Sequence, residues 1–142
     1  MLFTQDRNKL RQFYVDVWKK HQAKQEMEPL EKMIAKVIEW HPEYHGFLAG
    51  GESAVGRDFM PENGESNPFL HMGMHLGVQE QLSTGRPAGI LEIYQRLMKK
   101  HGDAHEVEHR VMDCLGEMIW TAQQNNTMPD EARYLECLKR LS

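Results

Sequence analysis

The chain has 142 residues, with 17 Lys plus Arg against 21 Asp plus Glu, for a net charge of -4, and carries eight histidines, ten methionines and two cysteines. At this length folding buries roughly 70% of the unfolded chain's surface, so one hydrophobic core suffices and no disulfide or zinc staple is required. The mild acidity disfavours nucleic acid as a partner. No apolar run approaches the eighteen or so residues of a membrane span, and Met1-Leu2-Phe3 passes straight into Gln5-Asp6-Arg7, so a cytoplasmic protein is expected. Cys114 and Cys137 stand apart, in no C-x-x-C arrangement, which argues against a disulfide scaffold, a thioredoxin-like site or a multi-thiolate zinc site.

Between the prolines and glycines the apolar period is that of helices. After Thr4 as N-cap, Leu10, Phe13, Tyr14, Val17 and Trp18 follow one buried stripe, predicting a helix over about residues 5–24. Pro29 suits a first helical position, and Leu30, Met33, Ile34, Val37 and Ile38 repeat the stripe until Pro42. Residues 43–48 suit a short turn. Residues 49–66 carry four glycines and Pro61 without a convincing period, and read as a long loop that can serve as a lid.

Asn67-Pro68 is an N-cap followed by Pro at N1, opening a third predicted helix to about Ser83. Its apolar residues point nearly all round the axis, and Gly73 and Gly77 allow close approach, so it should be the most enclosed element. A fourth helix carries Ile90, Ile93, Tyr94, Leu97 and Met98 and ends at Gly102. Asp103 caps a fifth, with Glu106 three residues on as in a capping box, running to about Gln124. Pro129 starts a sixth with Leu135, Leu138 and Leu141. Five to six helices with mostly short connections predict an all-α fold, a single-domain up-and-down bundle over residues 1–142.

Seven of the eight histidines lie four residues from another: His41 with His45, His71 with His75, and the row His101, His105, His109. Residues i and i+4 share a helix face, so such a pair can grip one ion with two neutral imidazoles. His41 and His101 fall in last helical turns, where a side chain that bonds exposed carbonyls has an ordinary structural use. His45 lies across Pro42 from His41 and reads as structural or as support to a site, and His21 is an isolated polar-face residue with no specific role expected. His71 and His105 fall instead in first turns, where the positive end of the helix favours the neutral ring that coordinates metals. His71 and His75 continue into the apolar stripe of Val78 and Leu82, and His105 and His109 border the inner arc of their helix. His71, His75, His105 and His109 are therefore the expected ligands of one divalent transition metal, Zn, Ni or Fe(II). The competing reading makes them buried, hydrogen-bonded core residues of a non-catalytic structural or interaction module, which would meet its partner through Phe59 and Met60 of the long loop.

Residues 105–109 also match H-E-x-x-H, in which Glu106 would activate water on a metal held by His105 and His109. Charged Glu108 and Arg110 fit that pattern poorly, and no strand-rich region precedes it to align a peptide. Met72 and Met74 project about 200° apart, so one helix cannot aim both at a single copper ion. Most methionines, and Trp18, Trp40 and Trp120, read as packing. Whether the chain is an enzyme, and on which small molecule it acts, is not specified by these residues, and self-association into a homo-oligomer is compatible with them.

The blocks His41-Pro42-Glu43-Tyr44-His45, Asn67-Pro68-Phe69-Leu70-His71 continuing to His75-Leu76 and Glu80-Gln81, and His105 and His109 leading into Cys114-Leu115-Gly116-Glu117 and Trp120 resemble the bacterial family catalogued as domain of unknown function 1841. The resemblance covers nearly the whole chain. It implies a bacterial, cytoplasmic, stand-alone domain and no particular reaction, and the family pattern resembles H-x-x-x-H more than H-E-x-x-H. More loosely, inward histidines in a small bundle resemble the metal-binding bundles of the DinB and hemerythrin types, an analogy of fold alone.

Overall fold

The computed structural model describes residues 2–59 and 67–142. The regular structure among the described residues is all helical, with no strand. They form α1 (Leu2–Gln22), α2 (Pro29–Glu39), a 3-10 turn (Pro42–Tyr44), α3 (His45–Ala49), α4 (Glu52–Val55), α5 (Pro68–Thr84), α6 (Ile90–His101), α7 (Ala104–Asn125) and α8 (Glu131–Leu141). Eight α-helices stand where five to six were expected. The two additional ones, α3 and α4, fall in the expected turn and long loop, and at five and four residues they are too short to display a helical period. None of the described helices is long and apolar enough to cross a membrane.

The chain divides into two compact units, Met1–Gly73 and Met74–Ser142. In the first, α1 packs on α2, α3 and α4. Tyr14, Val15, Val17 and Trp18 of α1 are buried, as are Ile34, Ala35, Val37 and Ile38 of α2. The capping box that opens α2 pairs Glu28 and Glu31, and the second carboxylate oxygen of Glu31 accepts from Lys20 Nζ of α1 at 2.7 Å. Arg11 is buried and donates to the carbonyls of Val55 (3.0 Å) and Arg57 (2.7 Å), which fastens the segment after α4 to α1. Phe59 lies under the guanidiniums of Arg11 and Arg57 and against Phe47, and is half-buried. Met60 and the rest of the expected lid, residues 60–66, lie outside the described residues.

In the second unit α6, α7 and α8 pack on one another around Ile93, Leu97, Val107, Val111, Leu115, Tyr134 and Leu138, with Val78 of α5 in the same core. Two of the expected start signals hold: Asn67 Oδ1 accepts from the Phe69 and Leu70 amides, and the Asp103 side chain accepts from the His105 amide, whereas Thr4 lies inside α1 and α8 is capped by Asp130 and starts at Glu131 rather than at Pro129. Gly102 ends α6 with φ 76°, a conformation that costs glycine little. Not every expected core residue is inside. Leu10, Leu30 and Leu70 are exposed, and so is Trp120.

Cys114 of α7 and Cys137 of α8 form a disulfide, contrary to the expectation of two separate thiols. Their separation of 23 residues carries no signature of its own. The pairing arises because α8 folds back on α7 and brings the two Cα atoms to 5.8 Å, inside the range a disulfide needs.

Two predictions follow from these packings. Closing a loop of this length removes chain entropy worth about 3 kcal/mol from the unfolded state, so reduction should lower the urea-unfolding free energy by that amount while leaving the native helical spectrum intact. The Lys20 hydrogen bond holds the Glu31 carboxyl below its ordinary value of 4.5. A carboxylate whose pKa is depressed by folding contributes stability above the unfolded value and loses it as pH falls through the folded one. Acid titration of the unfolding free energy should therefore be shallower below pH 4.5 in Glu31→Gln than in the parent chain.

Candidate metal centre

The second unit gathers three histidines. His75 comes from α5, in a stripe whose buried members include Val78, and is itself wholly buried. His105 and His109 come from the first two turns of α7 and are half-buried. Close contact between these helices is made by small residues: a Cβ on Gly77 would meet Leu115 Cδ2 at 3.9 Å, and one on Gly116 would meet Met74 Cε at 3.4 Å. The ring centroids are 4.3 Å apart for His105 and His109, 4.9 Å for His75 and His109, and 5.4 Å for His75 and His105. One ring nitrogen from each lies within 4.8 Å of the others.

Beneath them sits a carboxylate. Glu108 is buried, its Oε1 is 3.1 Å from His75 Nδ1, and Gln79 Nε2 donates to the same oxygen at 3.4 Å. With the Nδ1 proton donated to Glu108, the lone pair of His75 resides on Nε2. This is the arrangement in which an outer carboxylate fixes the tautomer and ring orientation of a metal-ligating histidine. The sequence motif gives Glu108 no role beyond a charge inside H-E-x-x-H. The signal was present, since Glu108, Val111, Met112 and Leu115 keep the i, i+3, i+4, i+7 spacing of a buried stripe.

His71 lies in the first unit, where its Nε2 is 3.0 Å from Nε2 of His41, whose Nδ1 donates to the Val37 carbonyl at 2.7 Å. His45 Nε2 is 2.9 Å from the Ile38 carbonyl, and its ring lies on Trp18. His41 and His45 therefore both serve the C-terminal carbonyls of α2. His21, expected to have no specific role, pairs with Glu39 and stacks on Trp18. His101 Nδ1 is 3.8 Å from Glu106. Glu106 itself is exposed and engages Arg110 Nη2 at 3.1 Å, which makes it a surface ion pair one turn long.

Residues 6–140 match a family described as Domain of unknown function (DUF1841). The chain belongs to that family. The match spans both compact units and attaches no reaction to them. No curated protein and no solved structure matches the chain significantly.

Glu108 is the member of this cluster with the largest structural stake. Replacing it with alanine removes a buried carboxylate that orders His75 and Gln79, and should cost about 3 kcal/mol in chemical denaturation. Glu106→Gln, which trims an exposed pair, should change stability by less than about 0.5 kcal/mol.

Proposed function

We propose that the second unit binds one divalent transition metal, Zn, Ni or Fe(II), through His75, His105 and His109. The observation that carries the proposal is the mutual proximity of three ring nitrogens above a buried carboxylate. The donor set suits these ions, because imidazole is a borderline ligand that zinc, nickel and ferrous iron all accept. A nitrogen-bound zinc has Zn–N distances near 2.0–2.1 Å, so tetrahedral ligands stand about 3.3 Å from one another. The three nitrogens lie within 4.8 Å of one another, with His75 held by Glu108 and the rings of His105 and His109 half-buried.

Three protein ligands leave a coordination position for water or a substrate, and a metal bound there supplies Lewis acidity or an activated water. In this chain Glu108 orients His75, and His105 stands in the first turn of α7. His71, expected as a fourth ligand, is directed toward His41 and is not included in the proposed set. Glu106 has a simpler use with Arg110 than as the water-activating base of H-E-x-x-H.

The second reading is a non-catalytic module in which the histidines satisfy one another and the protein. It is favoured by the bond between His75 and Glu108, which would stabilise a metal-free core as well. Metal analysis of chain purified without a His-tag separates the two. About one metal per chain is expected, with a rise in melting temperature on adding Zn, Ni or Fe(II) to the stripped protein. His75→Ala and His105→Ala should abolish binding, Glu108→Gln should weaken it about 10- to 100-fold, and His71→Ala and Glu106→Gln should retain it. Metal below about a tenth of an equivalent, with no thermal shift, would establish the structural reading instead.

A further inference from the structure

The disulfide of the second unit is not sealed in its core. A cleft of about 330 Å³ opens between the C-terminal half of α7 and α8, and Cys114, Glu117, Arg133, Cys137 and Arg140 are among its lining residues. The two sulfurs differ in access. Cys114 is 2% exposed and packs with Val111 and Leu115, whereas Cys137 is half-buried at the edge of the same apolar cluster. Glu117 Oε2 stands 3.9 Å from Cys137 Sγ. A disulfide that serves only as a staple has no need of a concave, charged approach to one of its sulfurs, and charged groups beside sulfur are the usual means of tuning thiol chemistry.

From this geometry we infer that the cleft is a thiol–disulfide exchange site for a low-molecular-weight thiol, with Cys137 as the sulfur attacked. The thiolate of the incoming molecule forms a bond to Cys137 Sγ. The bond to Cys114 breaks, and its electron pair leaves on Cys114 Sγ, which takes up the proton released by the attacking thiol. A second thiol then attacks the small-molecule sulfur of the mixed disulfide, releasing the oxidised small-molecule disulfide, and Cys137 Sγ leaves with the electron pair and takes up the proton of that second thiol. In sum the protein disulfide gains two electrons and two protons, and two small thiols lose them. Arg133 and Arg140 line the cleft, and the Glu117 carboxylate is the acceptor for the proton of the Cys137 thiol in the dithiol state. This inference is independent of the proposed metal, and its readouts do not require one.

Reduced glutathione is the probe. Incubated with the native chain at millimolar concentration, it should generate two titratable thiols per chain while the far-UV circular dichroism remains helical. Reduction no faster than the global unfolding rate measured in the same buffer would overturn the inference, since the bond would then open only in the unfolded chain. Oxidised glutathione should add to Cys137 in Cys114→Ala at least about tenfold faster than to Cys114 in Cys137→Ala. Equal rates, or preferential reaction at Cys114, would overturn the assignment of the attacked sulfur. The measurement on the native disulfide stands even if either variant folds poorly.

Discussion

Glu108 is a carboxylate that the fold has placed among Val107, Val111 and Met112, and the candidate centre depends on how its burial is resolved. An ionised carboxylate in an apolar setting is costly unless it is hydrogen-bonded. His75 Nδ1 and Gln79 Nε2 of α5 provide those bonds from the opposite helix. The same contact therefore compensates Glu108, selects the tautomer of His75, and fixes the ring that faces His105 and His109. Substitution of His75 or Glu108 has consequences for the other, because both are buried and each is the other's partner across α5 and α7.

What brings α5 against that carboxylate of α7, and sets the imidazoles of α7 beside it, is small side chains and a cap. Gly77 and Gly116 let Leu115 and Met74 approach across the helices without an intervening Cβ. Gly102 ends α6 and Asp103 caps α7, which starts at Ala104 and so puts His105 at the second helical position. His109, one turn later, reaches the same side because 3.6 residues make a turn. The centre is thus the product of a cap, a helical period and two close approaches, each of them local.

Local features were also the ones legible in the sequence. Pro29, Asn67-Pro68 and Gly102-Asp103 mark helix boundaries through backbone chemistry that needs no tertiary partner, and the structure places those boundaries where the sequence puts them. Periodicity identified stripes but not what would cover them, which is why Leu10, Leu30 and Leu70 stand exposed although each lies on an apolar face. The helix of four residues at Glu52–Val55 was invisible because a single turn has no period to read. The disulfide was invisible for a different reason: its two cysteines become neighbours only after α8 has folded back on α7. Among the histidines, the i, i+4 spacing correctly put His105 and His109 on one face, and the pairing with His75 followed from burial. It could not tell that His71 would meet His41, since that contact depends on where the chain after α2 turns.

The arrangement of the second unit also bears on which reading of its histidines is better motivated. A buried ionic or polar cluster is seldom the most stable way to fill a core, and well-packed apolar residues of similar volume often serve as well or better by about 1–4 kcal/mol. The unit already has such a core around Leu97, Val111, Tyr134 and Leu138, and it carries a disulfide besides. Stability alone therefore gives little reason to bury Glu108 and His75 beside two further imidazoles. The bond between Glu108 and His75 and the convergence of His105 and His109 on the same ring are what the proposed cation would draw on, with an outer carboxylate ordering one imidazole of three.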